Sequence, residues 1–301
     1  MPSRRPIPGL AERGLDLLVA GALTIDRFED GSTAPGGSVL HAARAAARAR
    51  LSVAFLTAAG SEPEAQAGLR ELAAIGELQV ESVPQTLFFG HAELDGRRRL
   101  SMEGHVRLRP DPRRLERLRP RALLLAPVAG ELDATTLAAI DEVVEARVRV
   151  AALQGWLRRR AAGSLVVPLS LDDLPQTVRA VLRNCDTVVL SHEDLGRPEA
   201  EPTAAAAIDV RRAIPGPGVV VTWGGTGYVR ADPADPEPFV VRRRDAVVGV
   251  GTTGAGDAYA AIVANNLARG ASLAVATRAA DRSVAGWLAH KPGAQRQPAR
   301  S

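Results

Sequence analysis

The sequence is short of residues on which several classes of protein depend. Cys185 is the only cysteine among 301 residues, so an internal disulfide or a multi-thiolate zinc site cannot form, which favours a reducing compartment. Lys291 is the only lysine. The Gly-Lys-Ser/Thr tripeptide of a Walker A loop does not occur, and a Schiff-base enzyme would have to use one lysine in a tail rich in proline and glycine.

Aromatic residues and long apolar runs are also scarce. Aromatic residues make up 3% of the chain, and the net charge is only +4 because acidic residues accompany most arginines. Surfaces that bind nucleic acids cluster their basic residues and interleave aromatics, so we expect no nucleic-acid partner. No run approaches the roughly 18 apolar residues of a membrane span. Residues 1–13 also lack the apolar core of a secretory signal, and we therefore expect a cytoplasmic protein without a membrane partner.

The patterns that are present are those of an α/β protein. Short uninterrupted apolar runs, such as 15–23 and 51–58, alternate with segments of helical periodicity. Runs of this kind are typical of a parallel sheet covered on both faces. We predict a three-layer α/β/α sandwich with a mostly parallel sheet. Further strands are expected near 122–127, 148–153, 187–191, 218–222 and twice within 228–248, and helices near 38–50, 63–75, 133–146, 174–184, 203–213, 255–269 and 273–290.

One segment breaks the alternation of strands and helices. Within 83–106, two strand-like stretches flank Asp95-Gly96, which is a strong signal for a hairpin turn. An antiparallel hairpin in this setting indicates a small β lid. The predicted organisation is a flexible N-terminus over 1–13, one domain over 14–291 with lid insertions near 24–35 and 84–108, and a flexible tail over 292–301.

The stretch VVGVGTTGAGDAY at 247–259 carries the strongest candidate chemistry. Residues 249–254 fit the dinucleotide fingerprint G-x-G-x-x-G, but that fingerprint normally lies in the first βαβ unit with an acidic residue about 20 positions later. A helix that begins near Gly254 would instead expose backbone N–H groups to a phosphate. Asp257 in its first turn would then accept a proton from a substrate hydroxyl, or it would only cap the helix dipole.

This stretch resembles a known family signature. Thr252-Thr253-Gly254-Ala255-Gly256-Asp257 is similar to the C-terminal D-T-x-G-A-G-D signature of the ribokinase-like (PfkB) carbohydrate kinases. The resemblance implies that Asp257 is the catalytic base. It also implies that the backbone amides of Gly254, Ala255 and Gly256 form an anion hole.

Further motifs follow in the family's order over roughly residues 15–290. Asp26 resembles the family's substrate-contacting aspartate, and Gly36-Gly37 resembles its N-terminal di-glycine signature. The segment QGWLR at 154–158 resembles one in an uncharacterised branch with some likeness to inositol kinases, which indicates an atypical member. The stretch TWGGTG at 222–227 is similar to the T-x-G-x-x-G turn beside the nucleotide. The nucleotide-binding residues implied are Thr222, Gly224, Gly225, Gly227, Thr252 and Thr253.

Three positions depart from the family pattern. Gly251 replaces an aspartate that helps to form a monovalent-cation site in related kinases, so activation by potassium is doubtful. The segment 191–194, SHED, replaces the N-x-x-E motif that arranges Mg²⁺ and phosphates, and Asp194 or Glu193 would supply the carboxylate. The same segment also fits a polar helix start with Ser191 as N-cap. His41 stands where many members place a substrate-binding asparagine, although a lone histidine is often structural.

The resemblance implies transfer of the γ-phosphate of ATP, with Mg²⁺, to a hydroxyl of a small sugar, polyol or nucleoside. Asp26, Gly36, Gly37 and His41 would bind this acceptor, and the backbone amides beside Asp257 would stabilise the charge on the transferring group. The alternative is a catalytically weak or inactive member that still binds a small ligand. The altered metal motif favours that alternative, whereas the retained Asp257 opposes it.

A homodimer through the lid is a further expectation from the resemblance. The lid serves as a dimer interface in related kinases, and the run Leu87-Phe88-Phe89 would give it an apolar surface.

Overall fold

The computed structural model of the chain describes residues 14–94, 97–161, 164–197, 201–235, 237–243, 245–248, 251–291 and 294–298. The predicted flexible N-terminus and the Asp95-Gly96 turn lie outside these residues. So do Gly249, the first glycine of the fingerprint, and positions 292–293 and 299–301 of the predicted tail.

The α-helices begin at the signals that the sequence provides. Asp133 and Ser272 act as N-caps, and their side chains accept hydrogen bonds from the N–H groups of Thr136 and Val275. Pro63 occupies the first turn of its helix, where its missing N–H is not needed. The helices are α1 (Ser38–Arg48), α2 (Pro63–Ile75), α3 (Pro112–Leu115), α4 (Ala134–Val143), α5 (Gln176–Arg183), α6 (Ala204–Ala213), α7 (Ala255–Ala268) and α8 (Leu273–Ala289).

The strands fall into a main sheet and three smaller sheets. They are β1 (Leu17–Ala20), β2 (Thr24–Phe28), β3 (Thr33–Gly36), β4 (Val53–Ala59), β5 (Glu77–Ser82), β6 (Leu87–Leu94), β7 (Arg97–Glu103), β8 (Ala122–Leu125), β9 (Val148–Ala152), β10 (Arg158–Arg160), β11 (Val166–Pro168), β12 (Thr187–Ser191), β13 (Gly218–Thr222), β14 (Gly227–Ala231), β15 (Phe239–Arg242), β16 (Asp245–Val248) and β17 (Gln295–Pro298).

The main sheet has nine strands in the order β15-β14-β13-β12-β9-β8-β1-β4-β5. The run from β13 to β5 is parallel throughout, and only β14 and β15 are antiparallel to their neighbours. The central strands β1, β4 and β8 are buried along their whole length. Strands covered on both faces have no solvent-facing side, which is why they appear in the sequence as unbroken apolar runs.

Helices cover both faces of this sheet, as the predicted three-layer sandwich requires. One core cluster joins one face of the sheet to apolar residues of α1, α2, α7 and α8, and the other joins the opposite face to α4, α5 and α6. Helix α7 is the most enclosed of them, with ten of its fourteen residues buried. The predicted fold class is confirmed, with a large, mostly parallel sheet between helices.

A second sheet, of four strands, covers one end of the main sheet. Its order is β3-β2-β6-β7, so it combines the two segments in which the sequence predicts the lid insertions. A short antiparallel hairpin of β10 and β11 lies beside β7, to which it is joined by a bridge between Ser101 and Leu165. We refer to β2, β3, β6 and β7 as the lid sheet and to β10 and β11 as the lid hairpin.

The apolar run Leu87-Phe88-Phe89, through which a lid dimer was predicted, is mostly buried within the protein. Leu87 and Phe89 are buried, and the ring of Phe88 lies 3.9 Å below the guanidinium of Arg27. Phe28 remains 39% exposed on the lid sheet. A dimer through the lid would therefore use Phe28 and part of Phe88, and it stays a prediction.

The structure differs from the sequence-based prediction in the tail. Residues 292–301 were expected to be flexible, whereas Gln295–Pro298 pairs with Asp245–Val248 as an antiparallel strand. Backbone hydrogen bonds to a partner strand, which the local composition does not encode, account for this order. Among the described residues, no helix is both long and apolar enough to cross a membrane.

Candidate active site

A cavity of about 500 Å³ opens between the lid sheet, the N-terminus of α7 and the carboxyl ends of β12 and β13. Open α/β sheets bind their ligands beyond the carboxyl ends of the strands, so the location is the expected one. All the residues predicted for the site line this cavity except Gly36. Those that line it are Asp26, Gly37, His41, Glu193, Asp194, Thr222, Gly224, Gly225, Gly227, Thr252, Thr253, Gly254, Ala255, Gly256 and Asp257.

The N-terminus of α7 presents free backbone N–H groups to the cavity. Gly254 is the N-cap, and the N–H of Ala255 donates to the carbonyl of Thr252 at 2.9 Å. Within the described residues, no backbone carbonyl accepts from the N–H of Gly256 or Asp257. The first N–H groups of a helix have no partner inside the helix and lie at the positive end of its dipole. Groups of this kind at a helix N-terminus are suited to bind an anion such as phosphate.

Asp257 lies in the first turn of the same helix. Its side chain is 7% exposed and faces the cavity beside the free N–H groups. A carboxylate here is stabilised by the helix dipole, which fits a cap as well as a base. Asp257 lines the same cavity as the predicted acceptor residues, and its role as the base stays a prediction. An anion site beside a carboxylate is the arrangement that phosphoryl transfer to an alcohol requires.

The turn before α7 is shaped by contact with His41 on α1. Gly254 has a φ of 80°, in the left-handed region that favours glycine. A methyl group at this position would also lie only 2.8 Å from the Cβ of His41 and would overlap the imidazole ring. His41 therefore supports the turn that presents the anion site, in addition to lining the cavity.

Burial and nearby charges together set the protonation of His41. Burial lowers the pKa of the imidazole, and the charges of Arg44 and Lys291 lower it further, whereas Asp257 and Asp26 raise it. Burial is the largest of these effects, so the neutral form is favoured at neutral pH. A neutral imidazole can donate one hydrogen bond and accept another, as an acceptor-binding residue would need.

Asp26 is held at the opposite side of the cavity by the lid sheet. Its carboxylate accepts a hydrogen bond from the Thr24 hydroxyl at 3.0 Å and lies 3.4 Å from Nε2 of His91. The His91 ring in turn stacks on Phe28, with 5.3 Å between the ring centroids. These contacts fix the orientation of the carboxylate of a residue that is only 6% exposed.

Gly36 was predicted to contact the acceptor, and the structure gives it a different place. It ends β3 behind Asp26 and does not line the cavity. A methyl group on Gly36 would lie 2.6 Å from Cγ of Asp26. The absence of a side chain thus leaves room for the carboxylate, whereas Gly37, the N-cap of α1, does line the cavity.

The segment that replaces N-x-x-E forms a reciprocal cap. The backbone N–H of Ser191 donates to Oδ2 of Asp194 at 2.9 Å, and the N–H of Asp194 donates to Oγ of Ser191 at 3.3 Å. The two bonds resemble those of a capping box, although the N-cap of the short helix Glu193–Leu195 is His192 and not the predicted Ser191. Burial raises the pKa of Asp194, and the charge of Arg158 opposes this effect. Glu193 is exposed at the rim of the cavity.

The predicted nucleotide turn connects β13 to β14. The N–H of Trp223 donates to the carbonyl of Gly227 at 2.9 Å, and the N–H of Thr226 donates to that of Trp223 at 3.0 Å. The ring of His192 stacks on Trp223, with 5.2 Å between the centroids. The glycines of the turn thereby lie along the cavity, next to the end of β12.

Sequence reasoning missed Arg158 as a site residue. Its guanidinium lines the cavity at the start of the lid hairpin and donates to the carbonyl of Val128 at 3.4 Å. With the Gln154 amide oriented so that its oxygen faces Arg158, Oε1 also accepts from Nη1 at 2.7 Å. Both residues belong to the QGWLR segment, which was noted for its resemblance but was not interpreted chemically.

A bidentate ion pair lines the α8 side of the cavity and was also missed. Nε of Arg243 lies 3.0 and 3.2 Å from the two carboxylate oxygens of Asp281, and its Nη2 forms a further bond to the same carboxylate. The two residues are 38 positions apart, so no local pattern joins them. Paired geometry of this kind fixes both side chains. The apolar residues that line this side with them are Val247, Val284 and Leu288.

The carboxylates at the cavity suit a metal held mainly by its substrate. Within the described residues, no group of three or more histidine, cysteine, aspartate or glutamate side chains could hold a metal ion. Mg²⁺ commonly keeps several waters and binds through one or two carboxylates together with substrate phosphates. Glu193 and the free oxygen of Asp194 fit that pattern and do not fit a metal site built from protein alone.

Comparison with protein families matches residues 109–300 to the pfkB family carbohydrate kinases. The matched region contains the segment 191–194, the turn 222–227 and the N-terminus of α7. A search among curated proteins gives no match to the chain.

Solved structures share the fold over nearly the whole chain. A pyrophosphate-dependent kinase in the ribokinase family, complexed with a pyrophosphate analog and myo-inositol, has a TM-score of 0.71 at 16% identity and covers 94% of this chain and 97% of its own. Arabidopsis thaliana ribokinase complexed with ribose and ATP has a TM-score of 0.65 at 18% identity, over 90% and 92%. A putative ribokinase II from E. coli has a TM-score of 0.65 at 16% identity, over 93% and 94%.

Proposed function

Because this chain belongs to the pfkB family of carbohydrate kinases, we propose that it transfers the γ-phosphate of ATP to a hydroxyl of a small sugar, polyol or nucleoside. The observation that carries the proposal is the pairing of Asp257 with the free N–H groups of Gly256 and Asp257 in one cavity. A base and an anion site within one cavity are the two parts of a phosphoryl-transfer site.

Each part of the cavity has a role in this proposal. Asp257 accepts the proton of the attacking hydroxyl, and the amides of Gly254, Gly256 and Asp257 stabilise the charge on the transferring phosphoryl group. The N–H of Ala255, which was predicted to join them, would first have to leave the Thr252 carbonyl. Asp26, Gly37 and His41 bind the hydroxyl groups of the acceptor. The lid sheet and the lid hairpin exclude water, which limits transfer of the phosphoryl group to water.

The donor end is formed by the turn 222–227 and by Thr252 and Thr253. Mg²⁺, when bound with the donor, neutralises charge on its phosphates. Glu193 and Asp194 are the carboxylates that would hold the ion through its waters, because both lie at the cavity near the end of β12. The guanidinium of Arg158 places a fixed positive charge on the same side, as its effect on the pKa of Asp194 indicates.

One observation favours the alternative of a weak or inactive member that binds a small ligand. Oδ2 of Asp194 is already taken by the N–H of Ser191, so one of the two candidate metal-binding carboxylates offers a single free oxygen. In that case the cavity would bind an acceptor without efficient transfer.

The first experiment is a panel of sugars, polyols and nucleosides with Mg-ATP, read by ADP release. Pyrophosphate is run in parallel as donor with phosphate release as the readout, because one of the similar structures is described as pyrophosphate-dependent. Turnover with an acceptor supports the proposal. Binding of an acceptor, seen as a thermal shift, without turnover under either donor supports the alternative.

The second experiment tests the base. Removing a general base typically costs about 10²–10⁴-fold in rate, so we expect Asp257→Asn to lower kcat by that amount and to leave the acceptor's KM little changed. Asp26→Asn is the matched variant, since it removes a carboxylate from the acceptor side of the cavity. It should raise the acceptor's KM more than it lowers kcat. Full activity of Asp257→Asn would show that the base is assigned wrongly.

A further inference from the structure

The only lysine of the chain contacts the loop that leads into the anion site. We call residues 251–254 the anion loop, because they run directly into the N-terminus of α7. Nζ of Lys291 donates a hydrogen bond to the backbone carbonyl of Gly251 at 2.6 Å. Lys291 follows the C-terminal end of α8 and is separated from Gly251 by 40 positions. The contact therefore joins two segments that are distant in sequence.

A basic residue after a helix has an ordinary explanation, which this geometry does not follow. Cations at a helix C-terminus interact favourably with the dipole and with the last carbonyls of the same helix. The ammonium of Lys291 instead reaches across to the anion loop, where it binds the backbone carbonyl of Gly251. It also lies 4.3 Å from the centre of the Trp287 ring. A cation–π contact and a charge-assisted hydrogen bond together define one position for the ammonium.

The charge of Lys291 affects a residue that lines the cavity. It is one of the charges that lower the pKa of His41, whose ring supports Gly254. A cation on the carbonyl side of the anion loop therefore acts from behind the same peptide groups that face the cavity. Position 251 is also the one at which the related kinases carry an aspartate and this chain has none.

We propose that Lys291 is a positioning residue that acts as a fixed cation on the anion loop, holding its peptides in the conformation that binds the donor's phosphates. This proposal rests on the proposed function for the identity of the anion. Because the ammonium already binds the Gly251 carbonyl, the protein has no need of a free monovalent cation at that atom.

Binding of inorganic pyrophosphate, measured by calorimetry without an acceptor, tests the proposal without requiring turnover. Loss of a charge-assisted interaction is worth about tenfold in affinity, so Lys291→Met should bind pyrophosphate about tenfold more weakly, whereas Lys291→Arg should stay close to wild type. Arg48→Met is the matched control, because the Arg48 guanidinium lies 5.0 Å from the same Trp287 ring and has no bond to Gly251 among the described contacts.

Three outcomes would overturn the proposal. They are unchanged pyrophosphate affinity in Lys291→Met, an equal loss in Arg48→Met, and absence of pyrophosphate binding by the wild type. Thermal unfolding of each variant distinguishes a loss of stability from a loss of anion binding. A variant that is merely less stable would still bind pyrophosphate well below its melting temperature. If pyrophosphate binding depends on Lys291 but no acceptor is phosphorylated, the inference stands and the proposed function fails.

Monovalent cations give a second readout. We expect potassium or ammonium chloride to restore part of the pyrophosphate affinity of Lys291→Ala, at constant ionic strength against tetramethylammonium chloride, which is too large to reach the carbonyl. Wild type should respond to none of these salts. Activation of wild type by potassium would show that a free ion, and not Lys291, serves the loop.

Discussion

At the scale of single residues, the site depends on a contact between a glycine and a histidine. Gly254 is in the left-handed region and lies against the ring of His41. His41 was expected to bind the acceptor, and that role stays a proposal. The His41 ring also packs against Gly254, the N-cap of α7. Its second role is therefore to limit which residue and which conformation the turn can have.

We expect Gly254→Ala to damage both stability and anion binding. A non-glycine residue at positive φ is strained and overpacking is costly, so the free energy of unfolding should fall by about 1–3 kcal/mol. Urea unfolding and phosphate titration would measure the two effects. Gly256→Ala is the matched control, because a methyl group there meets nothing within 4 Å. Equal stability losses in both variants would contradict the proposed contact with His41.

His41 should also make stability depend on pH. Its folded pKa lies below the ordinary value of 6.5, so it contributes stability above pH 6.5 that is lost as pH falls through the folded pKa. The loss is about 1.4 kcal/mol for each unit by which the pKa is lowered. We expect the unfolding free energy of His41→Asn to fall less than that of wild type between pH 7.5 and pH 5. Parallel pH profiles of the two proteins would contradict the expectation.

At the scale of elements, a buried carboxylate joins the loops beneath the cavity. Glu131 accepts hydrogen bonds from the N–H groups of Ala22 at 2.8 Å, Val128 at 2.9 Å and Ala129 at 2.8 Å. Burial raises its pKa, and these bonds oppose the shift. The contacts tie the segment after β1, which leads into the lid sheet, to the segment after β8.

We expect Glu131→Gln to destabilise the fold, because the amide NH₂ would face backbone donors. Each buried N–H left without an acceptor costs about 1–3 kcal/mol. Chemical denaturation would measure the loss, with Glu145→Gln, at an exposed position just after α4, as the control of equal chemistry. A loss no larger than that of Glu145→Gln would mean that the three bonds contribute little.

The elements also show how far the sequence could be interpreted. Apolar runs predicted the central strands, and periodicity with caps predicted α1, α2 and α4 to α8, because these signals are local. The lid hairpin was missed because its strands have three residues each, and β10 is the sequence Arg158-Arg159-Arg160. Its pairing depends on the neighbouring lid sheet. Glu131 gave no signal either, since its partners are backbone groups from distant segments.

The candidate site was predictable to a similar extent. Motifs with a fixed local spacing identified the N-terminus of α7, the turn 222–227 and the segment 191–194. The pairs Arg243–Asp281 and Lys291–Gly251 are separated by 38 and 40 positions, and only the packing of α8 brings them to the site. Gly36 was assigned a contact with the acceptor, whereas the fold uses it to make room for Asp26.

At the scale of the whole molecule, the cavity lies between the α/β/α sandwich and the lid sheet with its hairpin. The lid sheet has four strands, and the lid hairpin contacts it through the Ser101–Leu165 bridge and through the Arg158 guanidinium, which lies 5.6 Å from the centre of the Phe89 ring. The residues proposed to bind the phosphate donor belong to the sandwich, whereas Asp26 belongs to the lid sheet. Simultaneous binding of donor and acceptor would therefore draw the two bodies together.

We expect the combination of donor and acceptor to slow amide hydrogen exchange in β2, β6 and β11 by several-fold more than either ligand alone. Exchange reports local opening, which closure would suppress. Helix α4, on the far face of the sandwich, is the internal control and should be unaffected. Equal protection by the donor alone would show that closure does not depend on the acceptor.

The pairing of β16 with β17 has a consequence for synthesis of the chain. Strand β16 immediately precedes the glycine-rich stretch that leads to the anion loop, and its partner is Gln295–Pro298. This pair can form only after residues 295–298 have been synthesised, so β16 has no partner from this sheet until then. A tag fused after residue 298, or a premature stop before 295, would affect a part of the molecule far from the apparent end of the chain.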